Sequence, residues 1–352
     1  MGHTRTIGQT SFPARIPTGK DYYRYMRVAD YVLNCIGFVC ETATRDESGP
    51  KGDPYATGFF ISVPSSARGG RYLYFVTAKH VAKDLNDKDI HIQVNKRGGG
   101  LTEVVAVDPP MWYLHPSDDT CDIALTLVAA NPEAEFMSIP IEHMLTPEAI
   151  KELGIGIGDE VYSVGLFTEI DNPSRNIPIL RHGNISMMPT EQIQTELGFA
   201  DVYLIEARSI GGMSGSPVFV RPTGKIPAGI LPDGSIEGLL TIRDNTKLFG
   251  VVHGHWDVRE ADINKYPVTQ DRKHGVNYGI AIVVPAIKLI ETLNRKELSE
   301  ARMKHDEERK KRGVPGMDSA KPKEAGAAEQ PFTQDDFAAA LKKVSRKIPP
   351  KD

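Results

Sequence analysis

The glycine-rich segment 211–217, GGMSGSP, places one serine where it could act as a nucleophile. Glycines on both sides of Ser214 allow a tight loop in which the main-chain N–H groups of Gly212 and Ser214 can point at one spot. Pro217 stiffens the exit of the loop, and the apolar run after it is typical of a buried strand. A solvated Gly/Ser turn is the alternative, but the whole segment is more restrictive than a bare Ser-Gly-Ser tripeptide.

A serine nucleophile needs a base and a group that orients the base, and two further segments supply these residue types. His80 follows closely after the apolar run 72–78. A histidine in this position can be held rigidly with its ring facing a cleft. Asp122 opens the apolar run 123–125, where a buried carboxylate must be hydrogen-bonded, and orienting a histidine is one way to achieve this. An ordinary core histidine and a turn aspartate that caps its own backbone are the alternatives.

Short apolar or alternating runs, separated by Gly, Pro, Asn and Asp, extend from residue 33 to residue 286 and are typical of an all-β protein. In the first half the predicted strands are 33–42, 57–63, 71–77, 90–94, 103–108 and 123–128. In the second half they include 160–166, 177–181, 201–207, 217–220, 247–253 and 277–284. About six strands per half predict two antiparallel barrels or sandwiches packed together. The stretch 131–158, with helix-forming residues at 147–153, would connect them.

Four segments resemble the signature segments of trypsin-like (chymotrypsin-fold) serine peptidases, in the order of that family: 57–59 (TGF), 76–80 (VTAKH), 122–125 (DIAL) and 212–217 (GMSGSP). The resemblance spans residues 33–293 and is closer to intracellular bacterial members than to secreted ones. It implies two antiparallel β-barrels with the active site in the cleft between them, plus a C-terminal helix. It also implies a catalytic triad of His80, Asp122 and Ser214, with the N–H groups of Gly212 and Ser214 as the oxyanion hole.

The resemblance implies a serine endopeptidase that cleaves a protein or peptide substrate through an acyl-enzyme, without a cofactor. The alternative is a catalytically silent scaffold of the same fold that binds a peptide or protein partner. In the family, the residue six positions before the nucleophile lies at the base of the primary pocket. Arg208 has this position and would favour an acidic substrate side chain. If Arg208 instead faces outward and pairs with Glu206, the remaining residues shape the pocket. The other predicted substrate-binding residues are Ile210, His253, Gly254 and Tyr278.

A metal site at His253, His255 and Asp257 is a further alternative, because alternate positions on a strand face the same way and could ligate zinc. No additional ligand at a recognisable spacing accompanies these residues. The sequence analysis therefore predicts no metal.

Composition limits the partners and the compartment. A formal net charge of -4 and a pI near 6.2 give no overall basic field for nucleic acid or an anionic membrane. The three cysteines among 352 residues, Cys35, Cys40 and Cys121, are too few for a disulfide framework and favour a reducing compartment. The sequence contains no signal-peptide core and no run of roughly eighteen apolar residues. These features predict a cytoplasmic protein.

Changes in pattern divide the chain into three parts. Residues 1–32 are predicted to be an N-terminal extension, and residues 33–295 a peptidase domain. Within that domain we expect a first barrel at 33–130, a second at 159–285 and a docking helix at 286–295. Residues 296–352 are predicted to form a charged helix that leaves the core, a flexible linker and a short amphipathic tail. The tail would serve a partner or an autoregulatory contact.

Overall fold

The computed structural model describes residues 28–46, 49–67, 70–104, 112–129, 131–167, 174–195, 197–207, 212–221, 229–230, 236–237, 246–257 and 277–311. Its helices are α1 (Asp30–Asn34), α2 (Lys79–Asp84), α3 (Pro147–Leu153), α4 (Ala286–Leu293) and α5 (Lys296–Lys311), with one 3-10 helix at Ile141–His143. The helix expected at 147–153 is present, and α2 was not expected. None of the helices described here is both long and apolar enough to cross a membrane.

The amino-terminal half forms a nine-stranded sheet and a small hairpin. Its strands are β1 (Ile36–Glu41), β2 (Thr44–Asp46), β3 (Gly49–Lys51), β4 (Pro54–Pro64), β5 (Arg71–Thr77), β6 (Ile90–Lys96), β7 (Leu101–Val104), β8 (Tyr113–Leu114), β9 (Ala124–Leu127), β10 (Ala134–Glu135) and β11 (Ile139–Pro140). The sheet runs in the order β10-β6-β1-β4-β5-β9-β8, with β11 on β4 and β7 on β6, and β2 and β3 form the hairpin. Across the described ranges no strand pair closes this sheet into a barrel.

The carboxyl-terminal half forms a closed barrel in the order β12-β13-β16-β21-β20-β17, and two hairpins, β14-β15 and β18-β19, lie outside it. The strands are β12 (Glu160–Gly165), β13 (Ile179–Met187), β14 (Ile193–Thr195), β15 (Gly198–Ala200), β16 (Tyr203–Glu206), β17 (Pro217–Arg221), β18 (Gly229–Ile230), β19 (Ile236–Glu237), β20 (Lys247–Asp257) and β21 (Asn277–Pro285). Every strand predicted from the sequence overlaps one of the observed strands. The mainly β character is confirmed, together with one closed barrel.

A continuous apolar core joins the two halves. Its largest cluster contains Phe59 and Tyr74 from the first sheet together with Val164 and Phe219 from the barrel. Leu289 of α4 belongs to the same cluster. The two halves therefore bury apolar surface against each other, which fixes the loops between them.

Helix α5 differs from the expectation that the charged run leaves the core. Leu298 and Ala301 are fully buried and belong to the same apolar cluster. Polar residues also hold the helix, since the Tyr72 hydroxyl donates to Asp306 Oδ1 at 2.6 Å, and Arg302 Nη1 donates to the hydroxyl of Tyr74 at 3.0 Å. The helix docks mainly through hydrogen-bonded polar side chains, which a search for an apolar stripe does not detect.

Candidate active site

Ser214 lies in a tight loop, residues 212–216, that we call the serine loop, and it directly precedes β17. Gly212 has a φ of 86° and Gly215 a φ of 81°, values that favour glycine. A Cβ at Gly215 would overlap the carbonyl oxygen of Thr57. The N–H of Gly215 donates to the carbonyl of Val252 at 2.9 Å, which ties the loop to β20. The glycines are therefore required by backbone conformation and by the closeness of β4.

Thr57 of β4 connects the first sheet to the serine loop. Its hydroxyl donates to the carbonyl of Gly212 at 2.6 Å and accepts from the N–H of Leu166 at 2.8 Å. Its own N–H donates to the carbonyl of Ser214 at 3.2 Å. The carbonyls of Gly212 and Ser214 are thus directed at Thr57, while the N–H groups of the same two residues donate to no other described residue.

His80 and Asp122 form a hydrogen-bonded pair close to where β5 ends and β9 begins. After the extended residue Ala78, His80 lies in the first turn of α2 rather than on the strand itself. Its main-chain N–H donates to Asp122 Oδ1 at 2.9 Å, and its Nδ1 lies 2.8 Å from Asp122 Oδ2. The Asp122 side chain is 1% exposed and that of His80 is 35% exposed. The carboxylate is thus buried behind an accessible imidazole.

The charge state of the pair follows from these bonds. Burial tends to raise the pKa of Asp122, but hydrogen bonds from His253 and His80 outweigh it and lower the pKa to about 2. Burial tends to lower the pKa of His80, whereas the hydrogen bond and the charge of Asp122 raise it above its ordinary value. An ionised carboxylate only accepts hydrogen bonds, so His80 Nδ1 must bear a hydrogen. The Nε2 lone pair of His80 is then free to take up a proton.

A second histidine, His253 of β20, contacts both members of the His80–Asp122 pair. Its Nδ1 lies 2.5 Å from Asp122 Oδ2, and its ring is edge-on to that of His80 with 5.6 Å between the ring centroids. The sequence predicts His253 in the substrate pocket and does not predict its contact with Asp122. No local signal could have done so, because 131 positions separate the two residues.

The hydroxyl of Ser214 donates to the main-chain carbonyl of His253 at 3.3 Å. The described part of the chain contains no hydrogen bond between Ser214 and His80. The structure therefore joins His80 to Asp122, and links Ser214 to the same group of residues through His253. Because a serine hydroxyl has one hydrogen, Ser214 must release the His253 carbonyl before it can donate to His80.

The other predicted site residues are only partly described. Arg208 and Ile210 lie outside the described residues. Gly254 follows His253 in β20, and Tyr278 lies in β21. The residues of the alternative metal site, His255 and Asp257, also lie in β20, but their side chains fall outside the described part.

The described residues that come close enough together to hold a metal ion differ from the set His253, His255 and Asp257 considered from the sequence. One ligand atom from each of His80, Asp122 and His253 lies within 4.8 Å of the others. In the structure, both rings direct Nδ1 at the Asp122 carboxylate at hydrogen-bond distance. Hydrogen bonds alone therefore account for the arrangement of these three side chains.

No protein-family model matches the chain, and no curated protein sequence matches it. Solved structures do match. The MamO protease domain from Magnetospirillum magneticum is 15% identical, over 75% of this chain and 98% of that chain, with a TM-score of 0.44. The HtrA-type protease AlgW, solved with a decapeptide, is 16% identical, over 78% of this chain and 66% of that chain, with a TM-score of 0.41. Deg5 is 12% identical, over 74% and 87%, with a TM-score of 0.37. The solved structures that resemble this chain thus include proteases of the HtrA type.

Proposed function

We propose that the chain is a serine endopeptidase with Ser214 as nucleophile, His80 as general base and Asp122 as the residue that orients the base. The observation that supports this most directly is the buried carboxylate of Asp122, which accepts both the N–H and the Nδ1–H of His80. This arrangement leaves Nε2 of His80 as the basic atom. The N–H groups of Gly212 and Ser214, which donate to no other described residue, would complete the set of parts that acyl transfer requires.

The proposed reaction uses these groups in two stages, acylation of Ser214 and hydrolysis of the acyl-enzyme. The Ser214 hydroxyl attacks the scissile carbonyl carbon while its proton moves to Nε2 of His80. The carbonyl oxygen becomes an oxyanion held by the N–H groups of Gly212 and Ser214. Collapse breaks the C–N bond, and the leaving amine takes the proton from His80. A water molecule then attacks the acyl-enzyme by the same route and releases the carboxylic acid and free Ser214.

The substrate would be a protein or peptide bound in a cleft between two barrels, the first formed by the amino-terminal sheet. Arg208 at the base of the pocket would favour an acidic side chain. Ile210, Gly254 and Tyr278 would line the same pocket. His253 has its Nδ1 engaged by Asp122, which leaves Nε2 for substrate. Because the cysteines described here are buried free thiols, we propose that the protein acts in a reducing compartment such as the cytoplasm.

One observation favours a second candidate, a catalytically silent scaffold that binds a peptide or protein partner. The Ser214 hydroxyl donates to the His253 carbonyl and not to His80. If this hydrogen bond persisted with substrate present, His80 could not accept the serine proton, and the cleft would only bind.

Fluorophosphonate labelling separates the two candidates, because only an activated serine reacts readily with the reagent. We expect the full chain to be labelled at Ser214, and Ser214→Ala to lose both labelling and peptide hydrolysis. Ser216→Ala is the matched control in the same loop. Ser216 is fully buried and its hydroxyl reaches only the sulfur of Met213, at 3.9 Å, so this variant should retain labelling. Peptide binding without any labelling would favour the silent scaffold.

A peptide library tests the proposed pocket. We expect cleavage after Glu or Asp if Arg208 lies at the pocket base, or after small uncharged residues if Arg208 faces outward. Efficient cleavage after Lys or Arg would contradict the proposal that Arg208 forms the pocket base.

A further inference from the structure

His253 contacts all three residues proposed for catalysis, although the reaction above gives it no role. Its Nδ1 lies 2.5 Å from Asp122 Oδ2, and its carbonyl accepts the Ser214 hydroxyl at 3.3 Å. Its ring centroid lies 5.6 Å from that of His80. The His253 side chain is 13% exposed, so these contacts are largely removed from bulk water.

Asp122 determines where the hydrogens lie on both rings. Its Oδ1 accepts the main-chain N–H of His80, and its Oδ2 accepts Nδ1–H from His80 and from His253. An ionised carboxylate donates nothing, so each ring must bear a hydrogen on Nδ1. Two imidazoles therefore share one carboxylate, whereas a Ser-His-Asp triad needs only one imidazole.

We propose that His253 is a positioning residue whose Nδ1–H holds the Asp122 carboxylate in place and competes with His80 for its charge. This inference rests on the proposed function, since positioning matters only if Asp122 orients a base. A hydrogen bond donated to a carboxylate stabilises its negative charge, which weakens its attraction for an imidazolium beside it. His253 thereby lowers the base strength of His80 and fixes the side chain that orients it.

The other charged groups near the pair act differently. Asp84 contributes a more distant negative charge to His80. Lys79 directs its ammonium group to the main-chain oxygen of Asp119 at 2.5 Å. Among these groups only His253 and His80 donate hydrogen bonds to the Asp122 carboxylate. Replacing His253 should therefore change the pKa of His80 through Asp122.

Two substitutions separate hydrogen bonding from packing. In His253→Asn the amide nitrogen occupies the place of Nδ1, so a donor is kept and the imidazole ring is lost. In His253→Leu the apolar volume is largely kept and the donor is lost. Both substitutions are made in the full chain that also carries Ser214→Ala. The protonation of His80 is followed as a function of pH by nitrogen-15 NMR of the histidine rings. The His80→Gln variant assigns the His80 signals.

We expect His253→Leu to raise the pKa of His80 by about half a unit or more, and His253→Asn to shift it by less than about 0.3 unit. In the protein with native His253, the ring of His253 should bear its hydrogen on Nδ1. A hydrogen on Nε2 instead would overturn the proposal, even if a variant failed to fold. Equal shifts in the Asn and Leu variants would also overturn it, because packing alone would then explain the effect.

Peptide hydrolysis by the corresponding variants with Ser214 intact keeps the two proposals distinguishable. The acid limb of the kcat/KM profile should move to higher pH in His253→Leu, and His253→Asn should restore its position. Coupled rings without any hydrolysis would contradict the endopeptidase proposal, while the coupling of His253 to His80 through Asp122 would stand. Hydrolysis with an unmoved acid limb in His253→Leu would overturn the role of His253 and leave the endopeptidase standing.

Discussion

At the scale of single residues, the site depends on a carboxylate that is almost fully buried and accepts hydrogen bonds from two histidines. We predict that Asp122→Asn lowers kcat by about four orders of magnitude, because an amide that donates to Nδ1 would stabilise the wrong tautomer of His80. Steady-state hydrolysis of a peptide substrate measures this loss. The control is Asp119→Asn, three positions earlier, where the side chain is exposed and only the main-chain oxygen accepts a hydrogen bond.

The pH dependence of hydrolysis is a second prediction at this scale. His80 accepts a proton only when neutral, and its pKa lies above the ordinary value because Asp122 stabilises the imidazolium. We therefore expect kcat/KM to rise with increasing pH through an apparent pKa above about 6.5 and then to level off. An acid limb centred well below about pH 6 would show that Asp122 does not stabilise the charged form of His80.

At the scale of elements, Thr57 is the contact through which β4 holds the serine loop. Thr57→Val keeps the shape of the side chain but leaves the Gly212 carbonyl and the Leu166 N–H without their partner. We predict a loss of about 1 to 3 kcal/mol in the free energy of unfolding and a clear fall in kcat, since the oxyanion donors lose their support. Thr57→Ser is the matched control, because it retains the hydroxyl. Denaturant unfolding and peptide hydrolysis give the two readouts.

The attachment of α5 to the first sheet gives a prediction at the same scale. Asp306 accepts from the Tyr72 hydroxyl, the Ser65 hydroxyl and the Ser66 N–H at distances of 2.5 to 2.6 Å. Burial tends to raise the pKa of Asp306, but these hydrogen bonds outweigh it and lower the pKa. Asp306→Asn should therefore reduce the free energy of unfolding at neutral pH by roughly 2 kcal/mol.

The control for this variant is Glu307→Gln, at the next position of the same helix, whose side chain is exposed. Because the pKa of Asp306 is lowered in the folded state, its contribution is present above its ordinary pKa of 3.8 and disappears as the pH falls through the folded value. The stability difference between the parent chain and Asp306→Asn should thus shrink in strong acid. Equal unfolding midpoints for Asp306→Asn and Glu307→Gln at pH 7 would contradict the prediction.

At the scale of the whole molecule, α5 is the last described element, and it packs on the apolar core. We predict that a chain ending at residue 311 unfolds at nearly the same temperature as the full chain, because the segment beyond it offers little apolar surface to bury. A chain ending at residue 295 should unfold at a clearly lower temperature, since it lacks buried Leu298 and Ala301 and the bonds of Arg302 and Asp306. Thermal melts of the three chains compare them directly. Global unfolding of the longer truncated chain would show that residues beyond 311 contribute to the fold.

Much of the fold was predictable because short-range patterns encode it. Alternating apolar runs indicate the strands. Helix α3 begins after Thr146, whose side chain caps the first turn, and ends at Gly154, which has a left-handed conformation. Closure into a barrel was less predictable, since it depends on which strands meet at the edges of a sheet. The sequence predicts two antiparallel barrels or sandwiches. The described residues form a nine-stranded sheet and a small hairpin in the first half and a closed barrel in the second.

For the candidate site, the sequence alone determined the local chemistry: glycines with positive φ around Ser214, a histidine after a buried strand and an aspartate before another. The tertiary structure alone decided which groups meet. The bond from Thr57 to Gly212 spans 155 positions, that from Asp122 to His253 spans 131, and that from Tyr72 to Asp306 spans 234. Such polar contacts leave no periodic trace in the sequence, because each depends on the packing of two distant elements and not on the residues beside it.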